Sequence, residues 1–363
     1  MWVKQISANG FRNLSISNEY LSTGVNILHG DNAQGKTNIL EAVYFCAIGR
    51  SPRADNNREL VNFERDEAYV QVEVEKDNYP FTIDAYIQIN GNKTVKTLSI
   101  DRSVVKNTRE LFGRLMVVLF SPEDLRLIKS GPVERRRFMD MEICQLSPVY
   151  YSELRDYHRA LKQRNLLLKL LRRDRKQIES LPIWDEQLIK SGLKIMRTRS
   201  MFVSRISAIA AETHARITAD KENLALSYQP NIQNPDDYQE LMQKSHERDV
   251  LTGTTSSGIH KDDILFTIND IPARIFGSQG QQRTAALSAK LAEIELMRSS
   301  TKTTPVLLLD DVLSELDGSR QKFLLTQIND LQTILTCTGL EDVLTKNISE
   351  ANTMQVKAGK VYR

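Results

Sequence analysis

Gly30-Asp31-Asn32-Ala33-Gln34-Gly35-Lys36-Thr37 is the stretch that decides the fold. It meets the phosphate-loop pattern G-x-x-x-x-G-K-[ST] at every fixed position. An apolar, strand-like run, Val25-Asn26-Ile27-Leu28, precedes it, and Ile39-Leu40-Glu41-Ala42-Val43-Tyr44 follows with apolar residues at helical spacing. Strand, loop and helix therefore stand in the order a phosphate loop needs. Glycines at 30 and 35 let the backbone curl so that successive N–H groups and the helix N-terminus face a β-phosphate. Lys36 adds a point charge for the β- and γ-oxygens, and the Thr37 hydroxyl is placed to ligate Mg2+. The sequence thus predicts an α/β protein in which residues 30–38, Asn38 included, line a site for ATP.

A second apolar run, Val306 to Leu309, ends in Asp310-Asp311, with Ser314-Glu315-Leu316-Asp317 just behind. Four aliphatic residues followed by two acids predict a buried parallel strand that delivers carboxylates at its C-terminal end, where open α/β sheets bind ligands. Asp310 is expected to hold Mg2+ through its water shell, and Asp311 to orient or deprotonate the attacking water. Alone, the pair reads as two solvated acids at a strand end; the upstream loop reverses that preference.

Ser278-Gln279-Gly280-Gln281-Gln282-Arg283 lies between a strand pattern, residues 264–268, and a helix pattern, residues 283–298. A serine hydroxyl, a glycine amide and a helix N-terminus form an anion site, whereas the plainer alternative is an N-cap with a glutamine-rich first turn. Its place 32 residues before Asp310 favours the anion site. Ser278, Gly280 and Gln281 are then expected to cap the γ-phosphate of a nucleotide held by a second copy.

These segments carry a family resemblance. The phosphate loop with Asn38, Phe120-Ser121-Pro122-Glu123-Asp124-Leu125, Glu134-Arg135-Arg136-Arg137-Phe138, the run Ser278 to Lys290 and Leu307 to Asp317 resemble the RecF family, within the Rad50 and SMC group of ABC-type ATPases. The resemblance implies an ABC-type head with mixed sheets around the phosphate loop, Ser314 and Asp317 near the shared site, and Arg12 reaching a nucleotide phosphate. It also implies two ATP molecules sandwiched in a homodimer, slow DNA-stimulated hydrolysis, and binding to double-stranded DNA and single-strand/double-strand junctions. RecR, RecO and RecA would be functional partners in repair, replication restart and the SOS response. Three departures stand out. Ala33 replaces a common glycine, which suits a residue with negative φ. Gly258-Ile259-His260-Lys261-Asp262-Asp263 departs from the family's Gly-Pro-His-Arg-Asp-Asp, and Leu335-Thr336-Cys337-Thr338 has no histidine, so a threonine hydroxyl is expected to face the γ-phosphate.

A chain of 363 residues can bury a large core in two lobes. Cys46, Cys144 and Cys337 lie far apart without metal-ligand spacing and read as reduced, structural thiols of a cytoplasmic protein. The opening residues lack the apolar segment of a signal peptide, and no run approaches the ~20 apolar residues of a membrane span.

Turn signals and strand patterns fill residues 1–115, with Asn90-Gly91 marking a hairpin. The expected division is an ATPase head from residues 1–115 and 250–363, and an inserted, mainly helical lobe at 116–249. Within the lobe, two apolar stripes separated by Pro182 predict two antiparallel helices, the first about 40 Å long. Residues 133–220 hold 18 Lys and Arg against 11 Asp and Glu, or +7, while the whole chain is +3. Arg172, Arg173, Arg175, Lys176, Arg197 and Arg199 are accordingly candidates for DNA phosphates, set against a solvated helical face. Arg135 to Arg137 could instead pair with Glu134, Asp140 or Glu142 across helical turns. The 242 residues from Lys36 to Ser278 exceed what a transporter ATPase inserts, and the arm is too short for a chromosome-structuring coiled coil. A nucleotide-closed binding module without turnover remains the rival, and Asp311 argues for hydrolysis.

Overall fold

The computed structural model describes residues 1–328, 330–339 and 350–363. The chain forms two compact units, Met1–Asp124 with Met297–Arg363, and Leu125–Leu296. Residues 250–296, which the sequence pattern joined to the head, pack within the second unit.

The first unit holds two six-stranded sheets. One is antiparallel, ordered Ser15–Tyr20, Trp2–Asn9, Glu67–Lys76, Tyr79–Asn90, Lys93–Ile100 and Ser103–Val104. Val70, Val72 and Val74 alternate inward with Ile83, Ala85 and Ile87 of the next strand, as a half-buried pleat requires. The predicted hairpin forms one residue later than expected: Asn90 pairs with Lys93, so Gly91 and Asn92 turn the chain, with Gly91 at φ 58°.

The second sheet runs Lys360–Tyr362, Ala351–Lys357, Val25–His29, Thr333–Cys337, Val306–Asp310, Val117–Phe120. Every pairing from Ala351–Lys357 across to Val117–Phe120 is parallel, and the C-terminal hairpin at the edge is antiparallel. The central strands are aliphatic runs, as a sheet covered on both faces requires. Register places Asp310 opposite Thr336 and Thr336 opposite Leu28, so the phosphate loop and the acid pair leave the sheet at one end. The helix Lys36–Ile48 lies against strands of both sheets, and ten of its thirteen residues are buried. It therefore needs no polar face. Gln332 pins the sheets together, its side-chain amide bonding both the N–H and the carbonyl of Val3 at 2.6 Å.

In the second unit, helices Pro132–Leu146, Pro148–Leu171, Leu181–Thr218 and Tyr238–Thr252 pack with a three-stranded sheet ordered Ile271–Pro272, Asp263–Ile268, Leu224–Gln229. Two helices were expected across 133–220 and three are found, because Ser147-Pro148 breaks the first: Ser147 caps the next helix and Pro148 fits its first turn, where no N–H is needed. Pro182 likewise begins the longest helix. Its 38 residues span roughly 57 Å and the 24 residues of Pro148–Leu171 roughly 36 Å. Fully buried Arg164 joins three of these helices through Asp185 at 2.6 Å and Asp249 at 2.7 Å. Among the described residues no helix is long and apolar enough to cross a membrane.

Candidate nucleotide site

Gly30 and Gly35 stand at φ 148° and 112°, conformations that side chains rarely adopt. A Cβ on Gly30 would lie 2.4 Å from the Val356 carbonyl oxygen, and one on Gly35 would lie 2.8 Å from Asn13 Oδ1. Both glycines are thus demanded twice, by dihedral and by space. Ala33 differs from expectation: it sits at φ 63°, in the left-handed region, where a Cβ costs roughly 1–2 kcal/mol. The loop tolerates that strain because it is held from behind. Gln34 accepts the Gly359 N–H on its carbonyl at 2.8 Å and the Ala358 N–H on its side chain at 2.7 Å.

Lys36 is largely buried and its ammonium donates to the carbonyls of Gly30 and Asp31 at 2.6 and 2.9 Å, placing the charge inside the loop. Thr37 Oγ1 donates to Asp310 Oδ1 at 2.7 Å. The hydroxyl and the carboxylate come from residues 273 apart in sequence, and together they are the pair that would hold Mg2+. No cluster of three or more His, Cys, Asp or Glu suited to a metal occurs among the described residues. Asp311 adopts φ 54°, with its N–H held by Thr336 Oγ1 at 2.9 Å and its carbonyl by Ser314 Oγ at 2.7 Å. Burial, with Asp310 and Glu315 nearby, outweighs Lys36 and raises the Asp311 carboxyl above the ordinary range. A carboxylate so placed grips a proton more readily than a solvated one.

Of the two threonines in the segment Leu335-Thr336-Cys337-Thr338, Thr338 is exposed and Thr336 is buried. The buried hydroxyl of Thr336 donates to Asp310 Oδ1 at 3.0 Å and accepts the Asp311 N–H at 2.9 Å, so it orients the acid pair. Arg12, a quarter exposed, is engaged by groups of its own unit. Its Nε and Nη2 donate to buried Glu41, both at 3.0 Å, and Nη1 to the Glu59 carbonyl at 2.7 Å. Burial pushes Glu41 up, but hydrogen bonds from Arg12 and Ser51 and the charge of Arg53 bring it below the usual carboxylate range. Arg53 also reaches Asn38 at 2.8 Å, and Asn38 donates to Asn13 at 2.8 Å. Asn38 thus links the loop helix to the first hairpin.

A model of the RecF/RecN/SMC N terminal domain matches residues 2–361. The DNA replication and repair protein RecF of Lachnospira eligens is 45% identical over 363 residues, spanning 99% of both chains. That of Agathobacter rectalis is 43% identical over 361 residues, again 99% of each. The chain belongs to the RecF family. A solved structure of the recombination mediator protein RecF-ATP in the RecFOR pathway matches with a TM-score of 0.92 at 33% identity, over 99% of this chain and 97% of that one. An Smc head domain from Pyrococcus furiosus shares the fold at a TM-score of 0.56 and 16% identity. The fold class implied by the family resemblance, an α/β ABC-type ATPase head carrying a helical insertion, is the one this RecF-family chain adopts.

Ser278 precedes the helix Gln279–Thr301 and is exposed. Its hydroxyl accepts the Gln281 N–H at 3.2 Å, while its own N–H donates to Gln281 Oε1 at 2.9 Å, a reciprocal cap. Gln281 is consumed by this cap and by Glu222, to which its Nε2 donates at 3.0 Å, so its side chain does not face outward as a phosphate ligand. Gly280 lies in the first turn. Asp317 caps the helix Gly318–Gln327, accepting from Arg320 N and Ser319 Oγ.

The basic candidates separate sharply. Arg199 is 1% exposed and paired with Asp140 at 2.9 Å and Asp262 at 2.8 Å, so it holds the RecF-family chain's second unit together and is unavailable to DNA. Arg175 is exposed but forked onto Glu247 at 3.1 and 2.9 Å. Arg172, Arg173 and Arg197 are exposed, and the side chain of Lys176 lies outside what the structure describes. Arg135 pairs with Asp263 at 2.6 and 2.9 Å and Arg136 donates to the Asp262 carbonyl at 2.7 Å, joining two family-like segments that lie 128 and 126 residues apart at these contacts. Sequence reading missed Glu41, Ser51 and Arg53, the loop brace from Ala358 and Gly359, and Glu222. Only Gly359 carried a local signal, as a glycine between two short strand patterns.

Proposed function

We propose that this chain is an ATP-dependent DNA clamp of DNA replication and repair, which dimerises on ATP and hydrolyses it slowly. The observation that carries the reading is the Thr37–Asp310 contact at 2.7 Å beside Lys36, a hydroxyl and a carboxylate converging from distant parts of the chain where a triphosphate would lie. Relatives named for DNA replication and repair, and a relative solved as RecF-ATP, support a repair role that uses ATP.

Residues 30–38 would hold the α- and β-phosphates through backbone N–H groups, with Lys36 on the β- and γ-oxygens. Thr37 and Asp310 would hold Mg2+, which when bound neutralises charge on those oxygens. Asp311, kept in place by Thr336 and Ser314, would orient the attacking water and take its proton. Ser278 of a second copy, with the amide of Gly280 and the helix N-terminus behind it, would cap the γ-phosphate, and Ser314 and Asp317 would lie near that shared site. Because only a triphosphate reaches both Lys36 of one copy and Ser278 of the other, ATP favours the closed homodimer and its hydrolysis releases it. Arg172, Arg173 and Arg197 would neutralise phosphates of duplex DNA and of single-strand/double-strand junctions, largely without regard to sequence. RecR and RecO are the proposed partners in placing RecA on gapped DNA, in the cytoplasm.

The reading is tested by nucleotide binding and self-association of two variants. Lys36→Ala is expected to lose ATP binding, and Ser278→Arg to keep it yet fail to dimerise. Normal ATP affinity in the first, or normal dimerisation in the second, would overturn the corresponding half of the proposal.

A further inference from the structure

The signature turn is exposed at Ser278, yet it is anchored from beneath by a chain of side chains. Gln281 is held at both ends: Oε1 accepts the Ser278 N–H at 2.9 Å and Nε2 donates to Glu222 Oε1 at 3.0 Å. The other carboxylate oxygen of Glu222 lies 3.2 Å from Nε2 of fully buried His214, whose Nδ1 is 3.1 Å from Ser288 Oγ on the signature helix itself. Glu222 reaches this place because Ala219 and Asp220, both left-handed at φ 51° and 57°, end the long helix Leu181–Thr218 and reverse the chain. Asn223 and Asn269 then fix that reversal by reciprocal bonds, each at 2.8 Å. On its other flank the turn is clasped by Gln282, whose amide donates to the Ala273 carbonyl at 2.9 Å.

We infer that Glu222, backed by His214, is a positioning residue for Ser278: it orients Gln281, which sets the direction of the serine amide and hydroxyl. The inference rests on the proposal that Ser278 caps a γ-phosphate in trans. Without Glu222 the Gln281 side chain keeps only its bond from the Ser278 N–H, and the turn loses part of its preorganisation for the partner's nucleotide.

The experiment measures self-association of the full chain with Mg2+ and a non-hydrolysable ATP analogue, alongside affinity of the monomer for that analogue. Glu222→Ala is expected to weaken association about tenfold, the worth of one hydrogen bond to a charged group, with monomer affinity near wild type and a thermal midpoint lowered by a few degrees, because buried His214 loses this bond as well. Glu222→Gln, whose amide oxygen still accepts from Gln281, is expected to restore most of the association. Faster hydrogen exchange at the Ser278 and Gln281 amides in Glu222→Ala should accompany the loss. If Ser278→Arg abolishes association while Glu222→Ala associates like wild type, the inference is wrong and the trans site stands. If Ser278→Arg itself associates normally, the trans site is wrong and the inference goes with it. A Glu222→Gln variant as weak as Glu222→Ala would also overturn it.

Discussion

Replacing Glu41 by glutamine removes a charge that three other side chains are arranged around. The carboxylate is 1% exposed and accepts two bonds from Arg12 at 3.0 Å, with further bonds from Ser51 and Arg53. An amide keeps the shape but turns one acceptor into a donor pair facing guanidinium or hydroxyl protons. Breaking a buried ion pair from one side costs about 3–5 kcal/mol. Arg12 and Arg53 retain 25% and 35% exposure and can hydrate, so about 2–3 kcal/mol is the expected loss. Denaturant unfolding of the wild-type chain and the Glu41→Gln variant reads it as a lower midpoint at unchanged slope. The pH dependence gives a second check. Glu41 has a folded-state pKa below its unfolded value, so its stabilisation is complete above the unfolded value, about 4.3, and is lost as pH falls through the folded one. The substituted amide does not titrate. The gap between the proteins should therefore stay constant from neutral pH to about 5 and narrow below that. A gap under about 0.5 kcal/mol at neutral pH, or one that widens on acidification, would refute the reasoning.

Gly359→Ala should detach the C-terminal hairpin from the phosphate loop, since the new Cβ would lie 1.8 Å from the Asn13 carbonyl oxygen. The bonds from Gly359 and Ala358 to Gln34 and from Ser15 to Gly359, at about 1 kcal/mol each, set the expected loss near ~3 kcal/mol, with weaker ATP affinity measured by calorimetry. Asp311→Asn should lower single-turnover hydrolysis about a hundredfold or more while an ATP-bound dimer persists; wild-type activity should itself fall on acidification through a pH above the ordinary carboxylate range, because the Asp311 carboxyl is raised. Arg199→Met should destabilise the second unit without changing the salt dependence of DNA binding, whereas the double change Arg172→Ala, Arg173→Ala should reduce the salt slope by about 2 at unchanged stability.

The parts of the site that were legible in the sequence are those where chemistry and chain order coincide. Gly30 to Thr37 dictate a curled backbone, a charge and a hydroxyl within one short loop, and the aliphatic run before Asp310 marks the strand that delivers the metal-side carboxylate. Their meeting at Thr37–Asp310 follows from both strands being parallel in one sheet. What stayed hidden depends on long-range pairing. Arg199 looks like its neighbour Arg197 along the chain, and only helix phase and the carboxylates of Asp140 and Asp262 make one a core ion pair and the other a surface charge. Ala33 departs from the negative φ expected of it, in a loop that a hairpin braces through Ala358, 324 residues from its partner Gln34. Thr336 points at the acid pair because of strand register, which no local pattern reveals. Gln281 and Glu222 are ordinary polar residues until the long helix reverses at Ala219.

The most direct measurement is the mass of the full chain in solution, by sedimentation, at saturating non-hydrolysable ATP analogue with Mg2+ and again with ADP, each with and without a gapped duplex. The chain is expected to be a dimer with the triphosphate analogue, a monomer with ADP, and more tightly associated when DNA is present. A chain that stays monomeric at saturating analogue, or dimerises equally well with ADP, contradicts it.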